Sequence, residues 1–153
     1  MTPFPHVYET RVEGGPTGHA RLSAPGLPTI QFDAPSDFDG PGDAWSPEHL
    51  FVAAVQTCLL LTLRGVARAS RIDVLEVEVG GTGTVDRIDG VTRFTEIVLR
   101  PRILVAAGTD RDRVLRVIEK SEKTCLVAAS LSTPVRLEAQ IREHEQPTAL
   151  SGR

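Results

Sequence analysis

The chain has 153 residues, 41% of them apolar, and 17 Lys and Arg against 20 Asp and Glu give a formal charge of −3. That length is one ordinary domain's worth of material, able to bury a core without a metal or disulfide staple. A mildly acidic chain without basic runs excludes a nucleic-acid backbone as partner, because such binding asks for clustered Lys and Arg.

The N-terminal stretch MTPFPHVYETRVEGG lacks a basic patch followed by an apolar region, so no secretory signal is expected and the chain reads as cytoplasmic. Three short alternating segments follow, His6 to Glu13, Gly18 to Ala24 and Pro28 to Asp33, which predict a small antiparallel meander. Ala34 to Ala44 carries two Pro and two Gly among acidic residues and predicts a loop. Ser46 is then a fitting helix N-cap, with Pro47 at the first helical position and Glu48 where the helix dipole favours negative charge.

The helix that begins there is predicted to run to about Ala69. Between Leu50 and Leu63 it is apolar on nearly every face, so it reads as a core helix wrapped on all sides, by its own sheet and by a partner chain. The run is interrupted by Gln56, Thr57 and Thr62 and is read as too short to span a membrane. From Ile72 the period changes to two, and Asp89-Gly90 between alternating runs predicts a hairpin continuing through Val91 to Val105. Thr109 or Asp110 caps a second helix in which Val114, Leu115, Ile118, Cys125 and Ala129 recur at helical spacing. Pro134 ends it, and Val135 to Arg142 alternates as a last strand. The order βββ-α-ββ-α-β predicts an α+β fold, antiparallel sheets around a long central helix. Residues 1–146 are expected to form a single domain and 147–153 a disordered tail.

Two cysteines are too few for a disulfide framework, and the four His lack metal-ligand spacing, so neither a metal nor a cofactor is expected. A lone Cys on an apolar helix is usually packing. Here each predicted helix carries one, Cys58 and Cys125, and both helices must pack on one small sheet, so the thiols could meet. Glu48 lies ten residues before Cys58, roughly 15 Å along a helix axis. For both to serve one site, the helix start must bend or Glu48 must come from a second subunit.

Gly40-Pro41-Gly42, then Ser46-Pro47-Glu48-His49-Leu50-Phe51 leading to Gln56-Thr57-Cys58, resembles the central-helix signature of the OsmC/Ohr family, osmotically induced protein C-like and organic hydroperoxide resistance-like proteins. Lys123-Thr124-Cys125-Leu126-Val127 stands where that family's second cysteine belongs, 67 residues after Cys58. The resemblance implies an intertwined homodimer that reduces organic hydroperoxides, and also hydrogen peroxide, with Cys58 as the peroxidatic and Cys125 as the resolving cysteine. It further implies Glu48 as a thiolate-tuning residue paired with an arginine, and a dithiol reductant protein of lipoyl type, with neither nucleic acid nor membrane as partner. An apolar rim is expected from Phe38, Trp45, Phe51, Leu59 and Leu60.

Two departures mark a divergent subgroup. Pro16 follows Gly14-Gly15 where the hydroperoxide branch has an arginine, leaving Arg21 as the nearest replacement, and Leu126 stands where proline is common. The competing expectation is a non-catalytic dimeric binding or redox-sensing protein whose cysteines are structural.

Overall fold

The computed structural model describes residues 2–144, and the predicted tail at 147–153 lies outside the described residues. The chain divides into two compact units, Met1–Phe51 and Val52–Arg153.

In the first unit, β1 (Arg11–Glu13), β2 (Ala20–Ser23) and β3 (Ile30–Phe32) form an antiparallel sheet in the order β1-β2-β3. These are the cores of the three alternating segments. The predicted loop carries one 3₁₀ turn, Ser36–Phe38, and returns to the sheet where Asp33 N–H donates to Trp45 O at 2.8 Å. Ser46 caps the following helix as its sequence position requires: its Oγ accepts from His49 N–H at 3.2 Å, and its carbonyl accepts from Leu50 N–H at 2.9 Å.

The helix, α1 (Pro47–Ala69), begins in the first unit and gives the second its longest element. There β4 (Val74–Ile88) and β5 (Val91–Val105) form a long hairpin through Asp89 and Gly90, both at positive φ (52° and 78°), the pairing that a tight two-residue hairpin turn demands. α2 (Arg111–Thr124) starts at Asp110, whose carboxylate accepts from Asp112 and Arg113 N–H. A short α3 (Leu126–Ala129) follows, then β6 (Val135–Leu137) and β7 (Gln140–Glu143), both parallel to β5. The architecture is the expected α+β one, with the last helix and the last strand each split in two, but the second sheet is mixed and not antiparallel as expected, since β6 and β7 run parallel to β5.

The strand split has a local cause. β6 pairs with Ile97–Leu99 of β5 and β7 with Arg102–Val105, so the gap between them falls opposite Arg100 and Pro101. Pro101 has no N–H to give a ladder, and the strand beside it cannot pair without interruption. β5 is thus the spine of this sheet, with Ile97, Val98, Leu99, Ile103 and Val105 all buried.

The expectation for α1 holds in its bounds and is narrowed in its burial. Within one chain it is buried along a single stripe, Val55, Leu59, Leu63 and Ala67, while Leu61 on another face is 62% exposed, because one sheet covers only one side of a helix. Leu59 accordingly belongs to the core and not to an apolar rim. The helix ends at Ala69 as predicted, and an 18-residue stretch of it has a mean hydropathy of 1.8, long and apolar enough to cross a membrane by length and composition alone where its apolar run reads as too short, a test that a core helix also passes. In α2, Val114 and Ile118 are buried as predicted, while Leu115 is exposed and Val117 is buried in its stead.

α1 approaches β4 closely because β4 is rich in glycine there. Gln56 Nε2 donates to Val79 O at 2.8 Å, and a Cβ on Gly83 would sit 2.6 Å from both Val52 Cγ2 and Phe94 Cε1. A Gly83→Val substitution should therefore lower unfolding stability by about 1–3 kcal/mol, as overpacking does. Gly80→Ala, whose Cβ would meet Arg100 Cβ at 3.8 Å, should cost less, and urea titration of the two variants checks the difference.

Candidate functional site

Cys58 lies on α1 immediately before the core residue Leu59 and is partly exposed. Cys125 has a different setting from the one its sequence spacing suggested. It is not inside a helix but is the extended residue (φ −67°, ψ 106°) that ends α2 and precedes α3. It is buried, with 1% of its surface exposed.

The break brings the two thiols together. Val127 N–H, one of the orphan donors at the start of α3, donates to Cys58 Sγ at 3.5 Å. Cys58 is near enough to act on the Cys125 thiol, which is pushed above its ordinary range first by burial and then by the Cys58 thiol. The N–H groups of Ala128 and Val127 pull the other way. Leu126 occupies the first helical position of α3, where a missing N–H costs nothing, so the backbone there suits leucine or proline alike.

Glu48 is in the first turn of α1. In the first unit it lines a pocket of about 290 Å³ with Ala20, Phe32 and Asp33, walled by Pro35, Phe38 and Pro47. Its Oε2 is buried and has no hydrogen-bond partner among the described residues. Arg21 does not supply one. On β2 it stands opposite Gln31 and is exposed, whereas Ala20 and Phe32 line the pocket, and neighbouring residues of a strand face opposite ways. α1 is unbroken from Pro47 to Ala69, so no bend shortens the roughly 15 Å of helix between Glu48 and Cys58.

One ionic contact had no signature in the sequence. His19 Nε2 lies 2.8 Å from Asp43 Oδ1 and 3.9 Å from Asp33 Oδ2, tying β2 to the loop before α1, and Asp43 raises the His19 pKa. The partners are 24 residues apart in a segment whose irregularity hides any spacing. Among the described residues no group of three or more His, Cys, Asp or Glu is placed to hold a metal ion.

The family model for OsmC-like proteins matches residues 40–140, which hold Glu48 and both cysteines. The chain belongs to the OsmC-like family. It is 24% identical over 109 residues to the uncharacterized protein YmaD of Bacillus subtilis (strain 168), covering 69% of this chain and 73% of that one. Its fold is similar to that of an OsmC-like protein of unknown function from Vibrio cholerae (TM-score 0.81, 20% identity, 89% of this chain and 100% of that one). It is also similar to that of an organic hydroperoxide resistance protein OsmC from Legionella pneumophila (TM-score 0.72, 20% identity, 92% and 99%). The OsmC-like fold is thus established, and with it the family resemblance read from the α1 motif.

The raised Cys125 pKa carries a sign. Below the ordinary thiol value of about 8.5 both folded and unfolded chains keep this thiol protonated and it adds no pH dependence. Above it the unfolded chain ionises first, so stability falls as pH rises toward the folded value. Urea titrations at pH 7.5 to 10 should show wild type losing stability more steeply than Cys125→Ala.

Proposed function

We propose that this protein is a cysteine-based thiol peroxidase that reduces organic hydroperoxides and also hydrogen peroxide. The observation that carries the reading is the meeting of a partly exposed Cys58 with a buried Cys125 at the α2–α3 break. Cys58 as thiolate attacks the distal peroxide oxygen. The O–O bond breaks, the alkoxide takes a proton and leaves as alcohol, and Cys58 is left as sulfenic acid. The Cys125 thiol then attacks the sulfenic sulfur, a Cys58–Cys125 disulfide forms and water leaves. An external dithiol, lipoyl-type by family resemblance, returns both thiols.

The geometry supports this division of labour. Burial keeps Cys125 a thiol until it is needed, whereas Cys58 is more open and has the Val127 N–H beside its sulfur. The similarity to a protein named for organic hydroperoxide resistance points to the same chemistry. Glu48 is assigned a thiolate-tuning role from a partner subunit: its buried, unpartnered oxygen suits a guanidinium, and the helix carries it away from its own Cys58. The second reading, a non-catalytic dimeric or redox-sensing protein, draws on Pro16 and the outward placement of Arg21, which leave Glu48 without that guanidinium among the described residues.

Stopped-flow consumption of cumene hydroperoxide decides between them. Cys58→Ser should lose at least about a hundredfold in rate, the scale on which removal of a nucleophile registers. Cys125→Ser should retain one turnover and stop as a sulfenic acid. Equal rates for wild type and Cys58→Ser would leave only the non-catalytic reading.

A homodimer is part of the proposal, since the exposed apolar face of α1 around Leu61 needs cover that one chain does not give. Light scattering should report a dimer at micromolar concentration, and Leu61→Glu should shift it toward monomer.

A further inference from the structure

Cys125 forms part of the wall of a cavity of about 340 Å³ in the second unit, where Leu59, Leu99 and Leu131 line it together with the polar Glu122, Lys123 and Thr133. Cys58 is not among the described residues that line it, although Cys125 is its neighbour.

Resting on the disulfide chemistry proposed above, we infer that this cavity is the entrance for the reductant: an aliphatic dithiol enters it and attacks Sγ of Cys125, not Sγ of Cys58. Thiol–disulfide exchange proceeds with the attacking sulfur, the attacked sulfur and the leaving sulfur roughly in line, so an attacker of Cys125 must arrive on the side away from Cys58. The cavity borders Cys125 and not Cys58, and its volume lies in the range of small-molecule sites. In the first step the dithiol's thiolate bonds to Cys125 Sγ, the Cys58–Cys125 bond breaks and Cys58 leaves as thiolate. In the second, the dithiol's other thiol attacks its own bound sulfur, closing a cyclic disulfide. Cys125 leaves with a proton, its charged form being disfavoured by burial. That burial also makes Cys125 a poor leaving group, which opposes the alternative attack on Cys58. The peroxide and the reductant thereby use different approaches, and the alcohol product does not have to vacate one pocket before the dithiol arrives.

The test uses wild-type protein oxidised with diamide, so that it does not depend on peroxide turnover. The oxidised protein is mixed with 2-mercaptoethanol, quenched in acid at short times and digested with trypsin. The adduct is then located on Leu22–Arg64, which holds Cys58, or on Thr124–Arg136, which holds Cys125. The expected result is an adduct on Cys125 in roughly tenfold excess or more, as selective access to one sulfur gives. An even split, or an adduct mainly on Cys58, overturns the inference and leaves the peroxidase reading standing. Failure of diamide to form the disulfide overturns the inference and the disulfide step together. A second measurement narrows the cavity at Ala129, an exposed lining residue, with Ala129→Phe. Reduction of the disulfide by dithiothreitol should slow roughly tenfold while the rate of peroxide-driven disulfide formation is unchanged, since only access to Cys125 is altered. Equal reduction rates for variant and wild type overturn the inference.

Discussion

The close approach of α1 to β4 is the constraint on which the rest of the second unit depends. A helix can lie that near a strand only where side chains are missing, and Gly81 and Gly83 supply the space that Gln56, Val52 and Phe94 use. The hydrogen bond from Gln56 to Val79 O then fixes the helix along the strand as well as toward it. With that placement, the Val55, Leu59, Leu63 and Ala67 stripe meets the core and Cys58, one residue before Leu59, sits at the edge of that stripe. Its sulfur is where it is because a glycine surface lets the helix settle.

Cys125 reaches the same place by a different device. α2 buries Val114, Val117, Ile118 and Ser121, an i, i+3, i+4, i+7 face, and then stops. A helix carried straight on would keep Cys125 in a helical turn. The extended backbone at Cys125 instead starts a new turn whose first N–H groups point toward sulfur, so one break both ends the helix and furnishes donors. The asymmetry between the thiols follows from the same geometry. One lies on a helix covered on one side only, and the other at a junction closed from several sides, so burial weighs on Cys125 first. A buried thiol beside a more open one is the arrangement that two-step thiol chemistry uses, with the open sulfur meeting the substrate and the buried one held back.

Much of this was legible in the residues. The Ser46 cap, the Asp89-Gly90 turn and the Asp110 cap are local chemistry, written in one to four adjacent side chains, and each stands where its motif placed it. The α1 motif and the 67-residue interval between the cysteines carried the family, because the position of a side chain along a helix is set by the chain itself. Periodicity failed where two helices shared one pattern. Cys125 and Ala129 keep helical spacing with Val114, yet a change of axis at one residue leaves that spacing nearly intact, and only backbone angles reveal it.

Sequence alone determined the order of elements, the fold class, the two thiols and the carboxylate at the start of α1, since these rest on local propensity and on residue identity. The tertiary structure decided what faces what. It buried α1 along one stripe and left Leu61 uncovered, turned Arg21 to the face opposite the Glu48 pocket, and split the last strand against Pro101. It also lined a cavity with Cys125 and not with Cys58. Each of these depends on contacts between residues far apart in the chain, and no window of sequence holds both partners.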